Sequence, residues 1–138
     1  MHAPVISSMH APRLCVSALS GGGGKTLLSL GLARALCGRG MTIKPFKKGP
    51  DYIDAAWLGL AAGHAATNLD PFFLSPENVQ RLFFSSLEHV RAPAGGEVLA
   101  LLEGNRGLFD GLRRQNRLRH FVHLLSHRLF SRHQGDAA

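Results

Sequence analysis

Residues 20–26, with the sequence Ser-Gly-Gly-Gly-Gly-Lys-Thr, have the composition of a loop that binds phosphate. Glycines let backbone N–H groups turn inward around phosphate oxygens, and the partial positive charge of a helix N-terminus favours an anion. In such loops the lysine reaches the β- and γ-phosphates, and the threonine hydroxyl holds Mg²⁺. The general pattern G-x-x-x-x-G-K-[ST] is broken at its first glycine, where this chain has Leu19. The predicted nucleotide-binding residues are Gly21, Gly22, Gly23, Gly24, Lys25 and Thr26.

Charged side chains stand at the predicted ends of two further strands, where a parallel sheet collects its ligand. Glu103 ends an apolar run and could hold Mg²⁺, as the acidic residue of a Walker B-type strand does; the alternative is a solvated carboxylate. Asp51 and Asp54 suit a second metal contact or the orientation of a substrate, and ordinary helix capping is as good an explanation. Lys47 could stabilise a transferring phosphoryl group, whereas Lys48 is expected to be exposed.

Residues 104–111 are predicted to form a loop that contains three glycines, at 104, 107 and 111, and this loop directly follows Glu103. Glycines let a substrate approach the backbone closely, and Asp110 could point into the site. Leu108 and Phe109 are expected to pack in the protein rather than to bind a ligand.

The alternative to a phosphate site at residues 20–26 is a flexible glycine linker. The apolar strand before this loop and the helical pattern after it argue against that alternative.

The elements that must position these side chains follow the order β-α-β-α-α-β. Strands are predicted at 13–19, 41–47 and 98–102, and helices at 25–37, at 52–62 and after Ser75. Pro45 suggests that the second strand is an edge strand or ends there, and residues 68–71 read as a turn. The fold class is therefore α/β, with a doubly wound, mostly parallel sheet of the P-loop NTPase type. Three strands make a thin sheet, so we expect the domain to be incomplete.

Charge is distributed unevenly along the 138 residues. Residues 1–111 carry ten Lys or Arg and eight Asp or Glu, whereas residues 112–138 carry six Arg, one Asp and four of the eight histidines. No apolar stretch is long enough to span a membrane, and the N-terminus lacks the features of a signal peptide. Cys15 and Cys37 read as reduced core thiols. A cytoplasmic protein is the expectation.

Four segments together resemble the cobyrinic acid a,c-diamide synthase family. They are Lys47–Asp54 (KKGPDYID), Asn68–Pro71 (NLDP), Glu103-Gly104 and Gly107–Gly111 (GLFDG), and they occur in family order and spacing across residues 13–111. The segment that begins at Lys47 is highly specific. The glycine loop also resembles the dethiobiotin-synthetase-like branch of P-loop proteins, which lacks the signature lysine that MinD/ParA-type ATPases place at the position of Ser20.

The resemblance implies an ATP- and Mg²⁺-dependent amidation of tetrapyrrole side-chain carboxylates. In the family, ATP phosphorylates a carboxylate and ammonia displaces the phosphate; the ammonia comes from glutamine, hydrolysed in a separate glutaminase domain that this chain lacks. Transferred to matching positions, Thr26, Asp51 and Glu103 are the implied metal ligands, and Lys47, Asp54 and Asp110 serve the phosphoryl and substrate steps. The tetrapyrrole could be cobyrinate or a relative such as sirohydrochlorin.

Three regions are therefore expected: a loose leader at 1–12, the N-terminal part of a P-loop synthetase domain at 13–111, and a basic tail at 112–138. Apolar residues at helical spacing predict a helix over 118–130. The tail could bind nucleic acid or an anionic surface, cover the exposed sheet, or be translated out of frame, and we favour the last reading. The alternative to a ligase is accordingly a small ATP-binding module whose basic tail docks to a partner or nucleic acid. No membrane partner is expected, and nucleic acid is the less favoured partner.

Overall fold

The computed structural model describes residues 11–90, 92–94, 96–108 and 118–126 of the chain. Within them, strands and helices alternate through most of the chain, as the sequence predicts for an α/β domain. The elements are β1 (Arg13–Val16), α1 (Lys25–Cys37), β2 (Thr42–Lys48), α2 (Tyr52–Ala62), β3 (Thr67–Leu69), α3 (Pro76–Glu88), β4 (Val98–Glu103) and α4 (Leu118–Ser126).

The four strands form one parallel sheet in the order β1-β4-β2-β3. The predicted α/β class with a parallel sheet is therefore confirmed, but the expected number of three strands is wrong. The missed strand is β3, which lies where the sequence suggested a turn. A strand of three residues carries no periodicity of its own, and its conformation is set by pairing with Phe46, Lys47 and Lys48 of β2.

The expectation that Pro45 marks an edge strand or a strand end is also wrong. β2 lies inside the sheet between β4 and β3, and Pro45 pairs with Leu101 in the middle of the β2–β4 ladder. Pairing with β3 begins only at Phe46, so on that side Pro45 precedes the ladder. A residue without an N–H is tolerated towards β3, because on that side no strand residue pairs with Pro45.

The two faces of the sheet bury different apolar clusters. Side chains of a strand point alternately to the two faces, so Ile43 and Phe46 of β2 face opposite sides. Ile43 belongs to the cluster beneath α1 and α2, together with Val16, Ala33, Ala62 and Leu101. Phe46 belongs to the cluster beneath α3 and α4, together with Leu69, Val79, Phe83, Leu87, Leu102, Phe121 and Leu125. The sheet is therefore covered on both sides, as parallel sheets require.

Helix α4 covers the second face of the sheet. Its Phe121 and Leu125 are each about 1% exposed and pack in the same cluster as Phe46 and Phe83. Arg13 donates a hydrogen bond to the Leu125 carbonyl, which ties β1 to this helix. For α4, the interpretation of the tail as cover for the sheet is thus supported. The hypothesis that residues 112–138 are translated out of frame concerns the coding sequence and stays a prediction.

Two further properties bear on the sequence predictions. In the ranges that the structure describes, none of the helices combines the length and the apolar character that crossing a membrane would require. Cys15 and Cys37 both carry free thiols. The prediction that these two cysteines do not form a disulfide is therefore confirmed.

Candidate functional site

The glycine loop of residues 20–24 joins β1 to α1 and lies on the surface. Gly24 is the N-cap of α1 in the left-handed region, with φ 73° and no side-chain cap, and Gly22 has φ 72°. Residues with a Cβ are strained at such angles, which explains why glycines stand there. The first N–H groups of α1 receive no side-chain acceptor and remain available to an anion. Lys25, the first residue of α1, is 9% exposed beside this loop.

Strand pairing brings Lys47 and Glu103 together. The two residues are direct partners in the parallel ladder between β2 and β4. Because side chains alternate, Lys47 projects to the same face as Ile43, and Glu103 to the same face as Leu101. That face carries α1 and α2, which bring Thr26 and Asp54 to the same point. The site is therefore assembled from two strand ends and the first turns of two helices.

The four side chains contact one another directly. The Lys47 Nζ lies 2.7 Å from Glu103 Oε1 and 2.8 Å from Asp54 Oδ2. Thr26 Oγ1 lies 2.7 Å from Glu103 Oε1 and 3.2 Å from Asp54 Oδ2, so its single proton can be donated to either carboxylate. The side chains of Lys47 and Glu103 are 3% and 0% exposed, whereas that of Asp54 is 27% exposed. We call Thr26, Lys47, Asp54 and Glu103 the charged cluster.

The charges of this cluster support one another. The hydrogen bond from the Lys47 ammonium is the main reason that the pKa of Asp54 lies below its ordinary value. Burial by itself lowers the pKa of Lys47, but hydrogen bonds and charge from Asp54 and Glu103 outweigh it, so that the pKa is raised overall. Lys47 is therefore a cation and Asp54 an anion at neutral pH. One ammonium thus faces two carboxylates, which leaves excess negative charge for a further cation.

The charged cluster fits a magnesium ion. Glu103 is 1% exposed, and its second carboxylate oxygen, Oε2, has no hydrogen-bond partner among the described residues. A hydroxyl and carboxylates are the oxygen ligands that Mg²⁺ prefers, and Mg²⁺ bound with nucleotides usually takes only one or two carboxylates. Within the described ranges no group of three or more His, Cys, Asp or Glu side chains converges. A cation held by Thr26, Glu103 and Asp54 would therefore need oxygens from phosphate or water as well.

The other residues singled out from the sequence lie outside this cluster. Asp51 is the N-cap of α2: its Oδ1 accepts hydrogen bonds from the backbone N–H groups of Ile53 and Asp54, at 3.1 and 3.2 Å. The sequence left two roles open for Asp51, helix capping and a metal contact. The structure shows the capping role, and the metal role stays a prediction. Asp110 lies outside the described residues. Lys48 is only 8% exposed, so the expectation of an exposed side chain is wrong.

Sequence reasoning did not find the ion pairs of Lys47. It placed Lys47, Asp54 and Glu103 at element ends but could not show that they touch, because register is a property of the sheet. The burial of Lys48 has the same cause. Lys48 follows Lys47 on the strand and therefore faces the opposite side of the sheet, beneath α3. Burial there lowers the pKa of Lys48, and the negative charge of Asp70 partly offsets this effect. The sequence carries no signal for this burial, because lysine is rarely buried and that face of β2 carries two lysines.

The parallel sheet, the glycine loop between β1 and α1 and the acidic end of β4 define an α/β domain of the P-loop type. No family model matches the chain. The chain is 47% identical over 100 residues to a cobyrinate a,c-diamide synthase of Magnetococcus marinus, covering 72% of this chain and 20% of that protein. It is 42% identical over 105 residues to a hydrogenobyrinate a,c-diamide synthase of Streptomyces coelicolor (76% and 20%). It is 43% identical over 98 residues to one of Rhodobacter capsulatus (71% and 21%).

The resemblance that the motifs indicated is thus confirmed: over the matched residues the chain is similar to cobyrinate and hydrogenobyrinate a,c-diamide synthases. It spans about one fifth of the length of these curated relatives.

Proposed function

We propose that this chain carries the ATP- and Mg²⁺-binding part of a glutamine-using amide ligase that amidates tetrapyrrole side-chain carboxylates in cobalamin biosynthesis. The observation that carries the proposal is the charged cluster beside the glycine loop: a hydroxyl, an ammonium and two carboxylates on four different elements. The names of the relatives support cobyrinate or hydrogenobyrinate as the substrate class. The cytoplasm is the proposed location.

Different residues of the chain bind the triphosphate, the cation and the phosphoryl group in transfer. The N–H groups of Gly21–Gly24 and the ammonium of Lys25 bind the triphosphate, because both donate hydrogen bonds to phosphate oxygens. Thr26, Asp54 and Glu103 would hold a Mg²⁺ ion, and the chemistry that this ion would supply is neutralisation of phosphate charge. Lys47 would then orient its ammonium towards the phosphoryl group in transfer.

The chemistry that this arrangement serves is the activation of a carboxylate. A carboxylate is a poor electrophile, so its oxygen first takes the γ-phosphoryl group of ATP, giving an acyl phosphate and ADP. Ammonia then attacks the acyl carbon, phosphate leaves, and an amide remains. The ammonia would come from glutamine in a glutaminase domain or subunit outside this chain. Asp110 is the residue that we propose for the substrate step.

Nucleotide binding is the direct test of this function. Titration calorimetry with ATP and with ADP, each with and without Mg²⁺, should show binding to the 138-residue chain that Mg²⁺ strengthens. Lys25→Ala should weaken binding about 10- to 100-fold, since a hydrogen bond to a charged group contributes roughly 1.5–3 kcal/mol. The matched control is Arg34→Ala, which removes an exposed cation from the same helix and should leave binding unchanged.

Equal affinity of Lys25→Ala and the parent chain, or no nucleotide binding at all, would contradict the proposal. Amidation is assayed separately, with cobyrinate, ATP, Mg²⁺ and an ammonium salt, by the mass of the product. An amide formed only when ATP is present would support the ligase function. Nucleotide binding without any acyl phosphate, tested by trapping with hydroxylamine, would contradict catalysis by this chain alone.

A further inference from the structure

Asn68 belongs to one of the sequence motifs but not to the charged cluster, and its side chain has a specific set of contacts. Its amide nitrogen donates to the backbone carbonyl of Gly49 at 2.8 Å and to that of Asp51 at 2.9 Å. A side-chain amide has two N–H protons, so both are used on one loop. That loop, residues 49–51, joins β2 to α2.

The same loop is held at Gly49 by one further hydrogen bond, and Asn105 approaches it closely. The Gly49 N–H donates to the Leu69 carbonyl at 2.9 Å, which extends the pairing of β2 with β3. Gly49 has φ 89°, and a Cβ added there would lie 2.9 Å from the amide nitrogen of Asn105. Only glycine fits this position without displacing Asn105. The loop thus lies between β3, to which it is hydrogen-bonded, and Asn105, which follows β4.

The contacts continue from this loop to the charged cluster. Asn68 binds the carbonyl of Asp51, and the side chain of Asp51 accepts the N–H of Asp54 at 3.2 Å. Asp54 then contacts Thr26 and Lys47 through Oδ2. Because Asp54 lies in the first turn of α2, its position depends on where that helix begins. Only three residues separate β2 from α2, so a hydrogen bond to this loop fixes the start of the helix.

We propose that Asn68 is a positioning residue: its amide holds the loop of residues 49–51 so that Asp54 reaches the charged cluster and the site binds Mg²⁺ with nucleotide. The effect of Asn68 on Mg²⁺ binding rests on the proposed function, whereas its effect on the position of Asp54 does not. The role requires asparagine, because one planar group must donate twice. Aspartate has nearly the same shape but would direct carboxylate oxygens at two carbonyl oxygens, which is repulsive.

The first experiment needs no ligand. Amide hydrogen exchange followed by NMR is compared for the parent chain, Asn68→Asp and the control Asn78→Asp, which makes the same chemical change at an exposed position of α3. Asn68→Asp should speed exchange at the N–H of Asp54 at least about 10-fold and leave the N–H of Leu101 in β4 protected. Asn78→Asp should change neither. An unchanged rate at Asp54, or equal acceleration at Asp54 and Leu101, would overturn the proposal, since the latter indicates a purely global effect on stability.

The second experiment measures the metal. Mn²⁺ affinity in the presence of ATP, read from the EPR signal of free Mn²⁺, should fall at least about 10-fold in Asn68→Asp and stay unchanged in Asn78→Asp. If the parent chain binds no Mn²⁺ with ATP, the proposed function fails while the exchange experiment still tests the hold on Asp54. If the parent chain binds and Asn68→Asp binds equally well, the positioning role in metal binding is overturned.

A third measurement covers the case in which Asn68→Asp does not fold. In the parent chain, the side-chain NH₂ protons of Asn68 should exchange with water at least about 10-fold more slowly than those of exposed Asn78, because both are hydrogen-bonded. Equal exchange rates would overturn the proposal without any variant. Asn68→Ala, which removes the donors without adding charge, is then the variant for the first two experiments.

Discussion

Replacing Lys47 by methionine removes the ammonium that joins the two carboxylates of the charged cluster. Methionine keeps most of the apolar stem, so the main change is the loss of one charge. The carboxylate of Glu103 would then be buried, with a side-chain exposure of 0%, and without the cation that it contacts at 2.7 Å. Breaking a buried ion pair by removing one partner costs about 3–5 kcal/mol of folding free energy.

The two carboxylates contribute unequally to this figure. Asp54 is 27% exposed, so water compensates most of its lost ion pair, and its share is at most about 1 kcal/mol. The share of Glu103 dominates because water cannot reach it. We therefore expect Lys47→Met to lower the free energy of unfolding by about 3 kcal/mol, a change of roughly 150-fold in the ratio of folded to unfolded chain.

The assay is urea denaturation followed by circular dichroism, with Lys44→Met as the matched control. Lys44 is on the same strand and is 6% exposed, but its ammonium donates to the carbonyl of Ala65 rather than to a carboxylate. Burial lowers the pKa of Lys44, so its charge is costly in the folded chain. Lys44→Met should therefore change the free energy of unfolding by no more than about 1 kcal/mol.

A double variant decides whether the loss comes from the buried carboxylate. Lys47→Met combined with Glu103→Gln removes the unpaired charge, so it should recover at least about 1.5 kcal/mol relative to the sum of the two single effects. Strictly additive effects, or equal losses in Lys47→Met and Lys44→Met, would refute the reasoning from the ion pair.

Two further predictions concern titration and reactivity. Asp54 has a pKa below its ordinary value of 3.8, so its stabilising effect is present above that pH and is lost as the pH falls through the lower folded value. Urea denaturation at a series of acidic pH values should therefore show that the parent chain loses stability faster than Asp54→Asn below about pH 3.8; parallel curves would contradict this. Burial raises the pKa of Cys15 to about 11, from 9.0. At pH 8 its thiolate fraction, and so its alkylation by iodoacetamide, should be about 100-fold lower in the folded chain than in urea, and equal rates would contradict the burial.

The sequence by itself determined the class of the fold and most of its elements. The glycine loop, the apolar strand before it and the helical pattern after it are local features, so the helix Lys25–Cys37 was predicted with the bounds that the structure has. Ser75 and Pro76 likewise marked the start of α3, where the Ser75 side chain accepts the N–H of Asn78. Caps and turns depend on neighbouring residues, which is why a sequence reveals them.

The tertiary structure alone decided which of the candidate residues meet. Lys47 contacts Glu103 because β2 and β4 pair in one register, although 56 residues separate the two along the chain. Asp54 joins them, and Asp51 caps α2 instead, because the short loop held by Asn68 sets the start of that helix. β3 and the central place of Pro45 were missed for the same reason. Strand register and neighbour order arise from packing between distant segments, and no local pattern encodes them.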